Sequence, residues 1–326
     1  MLTILAQIVV NAPAYEDYRW PTRLFLGTTA DVLPDGMIWL HGGIVLNDQF
    51  VDYGIWHGVF NLGLSDLAEV RVSMGRLLSA PLGRWFQVNE VTTALKLKFL
   101  NVGPVSAAVD FKANPGIRNI LRDTMLVFNP EPVRHIYLRI YHTRMVAMSL
   151  PITLRFGRVA ITAAPSITRL GVRMELDRLP STDNCLEGVL CDSLIAWLST
   201  EPFRESPTES RLTFKGGYLG GEYMWRENAI LIAEFNLMPK FIYRGMPLSD
   251  TLLAPAKFYP DNRAPSDRVY PLLYSLWGIR YALLRSLSLD IATVIPYDFT
   301  LPPDRRLNLL NATIYLNFNL LFPLND

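Results

Sequence analysis

Residues 54–76, GIWHGVFNLGLSDLAEVRVSMGR, contain two stretches in which the character of the side chains alternates from one residue to the next. Such a period of two indicates β-strands, and the polar break at Ser65-Asp66 indicates a tight turn, so the stretch predicts a β-hairpin. One face of this hairpin is largely apolar, while the other carries His57, Asn61, Glu69 and Arg71. The hairpin therefore suits either a soluble sandwich around an apolar core or a transmembrane barrel with its apolar face toward lipid.

The composition of the chain narrows this choice. Half of the 326 residues are hydrophobic and only 19% are charged, whereas about 25% is usual for soluble domains. The formal net charge of +1 gives no basis for a nucleic-acid partner. No window approaches the roughly 18 consecutive apolar residues of a transmembrane helix. An apolar chain of this kind needs either a large core or a lipid-facing β-surface.

The connections between the predicted strands alternate in length. About fourteen strands can be placed between residues 37 and 322. Short breaks separate them near Ser65, Val102, Pro130, Pro165, Glu227 and Leu284. The breaks between these are mostly longer and lie around Gln49, Leu82, Pro115, Thr208, Pro255 and Pro302. Short turns at one end and long loops at the other are typical of outer-membrane barrels with an even number of strands. We therefore predict one all-β barrel domain over residues 36–326, with long loops at 178–210 and 245–267.

The first 35 residues are predicted to be a signal-like or extended segment. Ala12-Pro13-Ala14 has the small-x-small form of a signal-peptidase site, but no positive region precedes the apolar run. The alternative is a first strand or an extended arm. Farther along, Cys185 and Cys191 are six positions apart, which fits either an extracytoplasmic disulfide or two unpaired thiols. With no histidine nearby, we predict no metal site.

Two hairpin units and the closing strand carry a resemblance to a known family. LGLSDLAEVRVSMG and GIRYALLRSLSLDIA have the form strand, tight turn, strand, and the last strand, LNLLNATIYLNFNLLF, alternates toward Phe318, Leu320 and Phe322. In this the chain resembles Gram-negative outer-membrane β-barrel proteins of the porin and transporter kind. The resemblance implies a closed antiparallel transmembrane β-barrel in the bacterial outer membrane, in contact with its lipid, that acts as a pore or transporter for small solutes.

Charged residues on the polar strand faces are the candidates for lining the lumen of such a barrel. They are Glu69, Arg71, Lys96, Lys98, Asp110, Lys112, Arg139, Arg155, Arg169, Arg173, Glu175, Asp177, Glu234, Arg280 and Asp290. Their slight basic excess favours anions. The alternative is that opposite charges pair across strands, fill the interior and block conduction.

Two other functions stay open at this point. The barrel can be a structural or assembly component that anchors a protein partner through its long loops, or that forms a homo-oligomer. The chain can also be a soluble jelly-roll protein of a shell or capsid, with its first 35 residues as an arm. No Gly-x-Ser-x-Gly elbow or nucleotide fingerprint is present and the four histidines are scattered, so we predict no enzymatic activity and no cofactor.

Overall fold

The computed structural model describes residues 22–46, 55–76, 89–128, 132–177, 208–242, 268–284, 286–299, 303 and 313–324. The cysteine pair Cys185 and Cys191 and most of the two predicted long loops lie outside these residues. Within the described residues there is no helix with the length and apolar character to cross a bilayer.

In the described residues, thirteen antiparallel strands form one sheet, which closes on itself through the pairing of β4 with β5. The strands are β1 (Met37–Leu46), β2 (Ile55–Ser65), β3 (Ala68–Arg76), β4 (Asn89–Val102), β5 (Val105–Phe128), β6 (Pro132–Ser149), β7 (Ile152–Phe156), β8 (Val159–Asp177), β9 (Thr208–Arg226), β10 (Ala229–Ile242), β11 (Arg268–Ala282), β12 (Leu287–Asp298) and β13 (Thr313–Pro323). The first and last strands pair with each other from Met37↔Pro323 to Leu46↔Ile314. The fold is thus the closed antiparallel β-barrel that the sequence predicts, with a strand number close to the predicted fourteen.

Strands β6 and β7 share one position in the barrel. Both pair with β5 on one side and with β8 on the other, and they lie end to end with Leu150 and Pro151 between them. The barrel therefore has twelve strand positions, an even number. The residues Leu150 and Pro151 therefore interrupt a wall strand and are not a connection at the barrel end.

The turn of the next hairpin also differs from the sequence-based expectation. It lies at Gly157-Arg158, while the predicted turn residues 163–165 continue β8. Gly157 supplies the positive φ of 57° that this two-residue turn needs. Pro165 has no N–H to donate to the sheet, but its carbonyl oxygen accepts a hydrogen bond from Leu150 N at 3.0 Å.

The connections sort by length between the two ends of the barrel. Short turns join β2 to β3, β4 to β5, β7 to β8, β9 to β10 and β11 to β12, all at the end where β1 begins and β13 finishes. We call this the short-turn end. Apart from the interruption between β6 and β7, the strand ends at the opposite end are separated by more residues, except those of β5 and β6. The short break predicted near Pro130 therefore belongs to this opposite end, and Pro115, where the sequence predicts a longer connection, lies within β5. This is the asymmetry expected of an outer-membrane barrel.

The two faces of the wall differ in polarity. On β4, Leu95, Leu97 and Phe99 face outward and are exposed, whereas Thr92 and Lys96 face inward and are each 1% exposed. An apolar exterior around a polar interior is the arrangement of a transmembrane β-barrel and the reverse of a soluble protein. The soluble jelly-roll alternative, which needs apolar faces of two sheets meeting in a core, is contradicted by this single closed sheet.

Candidate functional site

Residues 22–33 lie inside the barrel and residues 34–36 connect them to the start of β1; we call residues 22–36 the lumenal segment. Leu24, Phe25 and Leu33 within it are each 1% exposed. The segment begins with a tight turn in which Thr29 N donates to Thr22 O at 3.0 Å. These residues belong to the stretch that the sequence predicts to be signal-like or extended. Their place in the barrel interior was not predicted.

Glu234 on β10 holds the turn of the lumenal segment through main-chain atoms. Its carboxylate accepts hydrogen bonds from the backbone N–H groups of Phe25, Leu26 and Gly27 at 2.8, 3.0 and 2.6 Å. Asn236 Nδ2 donates to the same carboxylate at 2.7 Å. The Glu234 side chain is completely buried, so four donors compensate for the cost of burying its charge.

Arg280 on β11 contacts the same turn as a hydrogen-bond donor, whereas Glu234 is an acceptor. Its guanidinium donates to the carbonyl oxygens of Arg23 and Leu24 at 3.0 and 3.3 Å. It also forms a two-pronged ion pair with Asp290 on β12, with N···O distances of 2.7 and 2.9 Å. Asn317 on β13 donates to Asp290 at 2.9 Å. Three neighbouring strands thus position one cation against two segment carbonyls.

A second ionic network lies on β3, β4 and β5. Lys96 Nζ is 3.1 Å from Glu69 Oε2 and donates to the carbonyl oxygen of Thr22 at 3.2 Å. Glu69 in turn accepts the N–H of Leu33 at 3.1 Å. Beside them, Arg71 Nη2 is 2.9 Å from Asp110 Oδ2. Here the interior charges pair across strands, and two of the four also bind the segment backbone.

Two neutral side chains complete the main-chain contacts of the lumenal segment. The Tyr218 hydroxyl on β9 donates to Thr28 O at 2.7 Å and accepts from Thr28 N at 3.2 Å. Thr153 Oγ1 on β7 accepts from Ala30 N at 2.9 Å. Beyond these, Asp31 forms ion pairs with Lys98, at 3.6 Å, and with Arg155. The segment is therefore held from every side of the barrel.

Aromatic and histidine side chains pack at the β13–β1–β2 wall. Arg23 of the lumenal segment donates to His41 Nε2 at 3.1 Å. The His41 and His57 rings are 5.8 Å apart edge to face, and His57 stacks on Tyr315 at 5.6 Å. Trp39 also faces the interior and is 6% exposed. Among the described residues, no group of three His, Cys, Asp or Glu side chains is arranged to hold a metal ion.

The structure separates the predicted lumen-lining residues into three groups. Those on the inward face are Glu69, Arg71, Lys96, Lys98, Asp110, Lys112, Arg155, Glu234, Arg280 and Asp290. Arg169 and Arg173 are exposed, on the opposite face of β8 from buried Thr162 and Leu170. This differs from the expectation, because alternation alone does not say which face points inward. The side chains of Arg139, Glu175 and Asp177 lie outside the described set.

Glycines leave room for the lumenal segment at the wall. A Cβ on Gly63 of β2 would collide with the backbone carbonyl oxygen of Pro34, and one on Gly220 of β9 would collide with Leu24. Within the segment, a Cβ on Gly27 would lie 2.7 Å from the Tyr218 ring. The barrel surface is therefore shaped around this segment at atomic contact.

Sequence reasoning missed several interior residues of β9. Neither Tyr218 nor Glu222 is among the residues that the sequence predicts to line the lumen. The Glu222 side chain is 2% exposed, and neither of its carboxylate oxygens has a hydrogen-bond partner among the described residues. Both residues share the inward face with Gly220. The alternation of Tyr218, Gly220 and Glu222 with outward Leu219 and Tyr223 was the signal that could have identified them.

Comparisons with known proteins give structural likenesses only. No protein-family model matches the chain, and no curated protein matches it. The translocator domain of the autotransporter NalP from Neisseria meningitidis is similar with a TM-score of 0.47 and 6% identity, covering 90% of both chains. A Pseudomonas aeruginosa FadL homologue has a TM-score of 0.40 and 12% identity over 89% of this chain and 90% of its own. The Acinetobacter baumannii outer membrane protein Omp33 has a TM-score of 0.36 and 10% identity over 88% and 99%.

Proposed function

We propose that this protein is a β-barrel of the bacterial outer membrane that passes small solutes and is closed, in the observed state, by its lumenal segment. The main support for this proposal is that the barrel has an apolar exterior and an interior whose charged groups bind the lumenal segment. Glu69, Lys96, Glu234 and Arg280 all direct polar atoms to it. These contacts are noncovalent, so the segment can leave the lumen without breaking the wall.

The paired charges determine how an open lumen would treat ions. Arg71, Lys96 and Arg280 each lie against a carboxylate. Because these charges compensate each other locally, the open barrel has weak ion selectivity, with the small basic excess of the sequence favouring anions. Passage is passive, because the barrel needs no chemistry beyond displacement of the segment.

Ionic conductance in planar bilayers tests this proposal. The unsubstituted protein is expected to be mostly closed. A double variant, Arg23→Ala with Asp31→Ala, removes the side-chain ion pairs and hydrogen bond that tie the segment to His41, Lys98 and Arg155. It is expected to open more often. If the unsubstituted protein and the double variant both form heat-modifiable barrels in membranes and neither conducts ions, the pore function is contradicted.

The filled interior favours a second candidate function. A barrel in which Arg71, Lys96 and Arg280 pair with carboxylates of neighbouring strands, and in which other interior charges bind the lumenal segment, suits a structural or assembly component that anchors a protein partner through its long loops. The same bilayer experiment separates the two functions. Steady conductance after release of the segment supports the pore, whereas a folded, nonconducting released variant supports the anchor.

A further inference from the structure

We propose that the inward-facing polar groups of this barrel form a binding site for a peptide in a turn conformation, recognised through its main chain, and that the lumenal segment occupies this site as an internal ligand. The inference rests on the proposed function, because it names the class of solute that the opened lumen accepts. It follows from which atoms of the segment the barrel contacts.

Most polar contacts between the wall and the lumenal segment go to backbone atoms. Carboxylates and hydroxyls accept from the N–H groups of residues 25–28, 30 and 33, and Lys96, Arg280 and Tyr218 donate to the carbonyl oxygens of residues 22, 23, 24 and 28. The contacting wall residues are Glu69, Lys96, Thr153, Tyr218, Glu234 and Arg280. Every peptide unit carries one N–H donor and one carbonyl acceptor. In the turn of the lumenal segment, three successive N–H groups, of residues 25–27, meet the carboxylate of Glu234, and three successive carbonyl oxygens, of residues 22–24, meet Lys96 and Arg280.

The side chains of the lumenal segment make fewer contacts with the wall than its backbone does, so the site has only a limited preference for peptide sequence. Leu24 and Phe25 pack in a buried cluster with Ile230, Leu276 and Tyr315. The next requirement is at residue 27, where any side chain would meet the Tyr218 ring. The site therefore takes a peptide with two successive apolar residues and, two positions after the second, a glycine.

Peptide binding to the full-length Arg23→Ala, Asp31→Ala variant tests this inference, because these changes loosen the segment and leave the wall groups intact. Three peptides are compared by calorimetry in detergent: residues 22–36, the same length with only Leu24, Phe25 and Gly27 retained, and residues 22–36 with the amide nitrogens of Phe25 and Gly27 methylated. The first two are expected to bind within about threefold of each other. The methylated peptide is expected to bind at least tenfold more weakly. Maltohexaose, a solute without a peptide main chain, is expected not to bind.

A wall substitution gives a matched control. In the same background, Glu234→Gln is expected to weaken binding of the first peptide at least tenfold, because one carboxylate oxygen that accepts N–H groups becomes a donor. Glu227→Gln, at the exposed turn between β9 and β10, is expected to leave binding unchanged. Equal binding of methylated and unmethylated peptides, or no peptide binding, would overturn the inference.

Hydrogen exchange in the unsubstituted protein gives a second reading that does not depend on the variant. Excess peptide of residues 22–36, with unlabelled amides, is expected to speed exchange at the backbone amides of the lumenal segment at least threefold by displacing it. Unchanged exchange at saturating peptide would contradict the shared site. Peptide binding without conductance would support the peptide-binding site and contradict the pore function. Conductance without peptide binding would support the pore function and contradict the peptide-binding site.

Discussion

Replacing Glu234 with alanine is the sharpest test of how the lumenal segment is held. The substitution removes the acceptor of three backbone N–H groups, two of them at Phe25 and Gly27 in fully buried surroundings. A hydrogen bond to a charged group contributes about 1.5–3 kcal/mol. At the lower value, three such bonds give about 4.5 kcal/mol, which is roughly a thousandfold in the ratio of docked to undocked segment.

Hydrogen exchange read by mass spectrometry measures this ratio directly. Amides of the lumenal segment exchange when it undocks, so Glu234→Ala should speed their exchange by roughly a thousandfold, while the β10 and β11 amides change little. Asn236→Ala is the matched control, because Asn236 contacts the carboxylate of Glu234 but not the segment. Less than a tenfold increase in a variant that remains a heat-modifiable barrel would refute the anchoring role of Glu234.

Three further outcomes are expected. Gly63→Ala places a methyl group against the segment backbone, which should destabilise the docked segment by the about 1–3 kcal/mol typical of overpacking. Conductance and hydrogen exchange of the segment should therefore rise. Gly58→Ala on the same strand, where the nearest atom would be 3.9 Å from the new methyl group, should change neither. Leu95→Arg on the exterior should cost about 2–4 kcal/mol in urea unfolding from lipid vesicles, whereas Leu67→Arg at an exposed turn should cost less than about 1. Arg280→Met leaves a buried carboxylate without its cation and should lower unfolding free energy by about 3–5 kcal/mol; an unchanged urea midpoint would contradict this.

Much of the wall could be predicted from local pattern. The hairpin of β2 and β3 was readable because its period of two and the break near Asp66 are properties of adjacent residues. The interruption at Pro151 was not, because a proline between two strand-like runs predicts a loop as readily as a flaw within one wall strand. Only the pairing of both runs with β5 and β8 distinguishes these cases.

The contents of the lumen were much harder to predict. Glu234 binds Phe25 across 209 positions of sequence, and its partners are backbone atoms, which every residue carries. No periodicity or composition marks such a contact. The same limit explains Arg169, because alternation divides a strand into two faces without assigning either to the inside. Which residues line a conducting path stays a prediction, whereas their position on the wall is visible in the structure.

The seam between β1 and β13 has a consequence for how fast the barrel forms. The other neighbouring strands are much closer in sequence, since even the distant pair Val159↔Tyr223 of β8 and β9 spans a small part of the chain, so their loop-closure costs are smaller. Joining Met37 to Pro323 brings together almost the whole length of the chain, and contacts of such separation slow folding. Because the lumenal segment runs directly into β1 at Met37, closing this seam also fixes the position of one end of the segment.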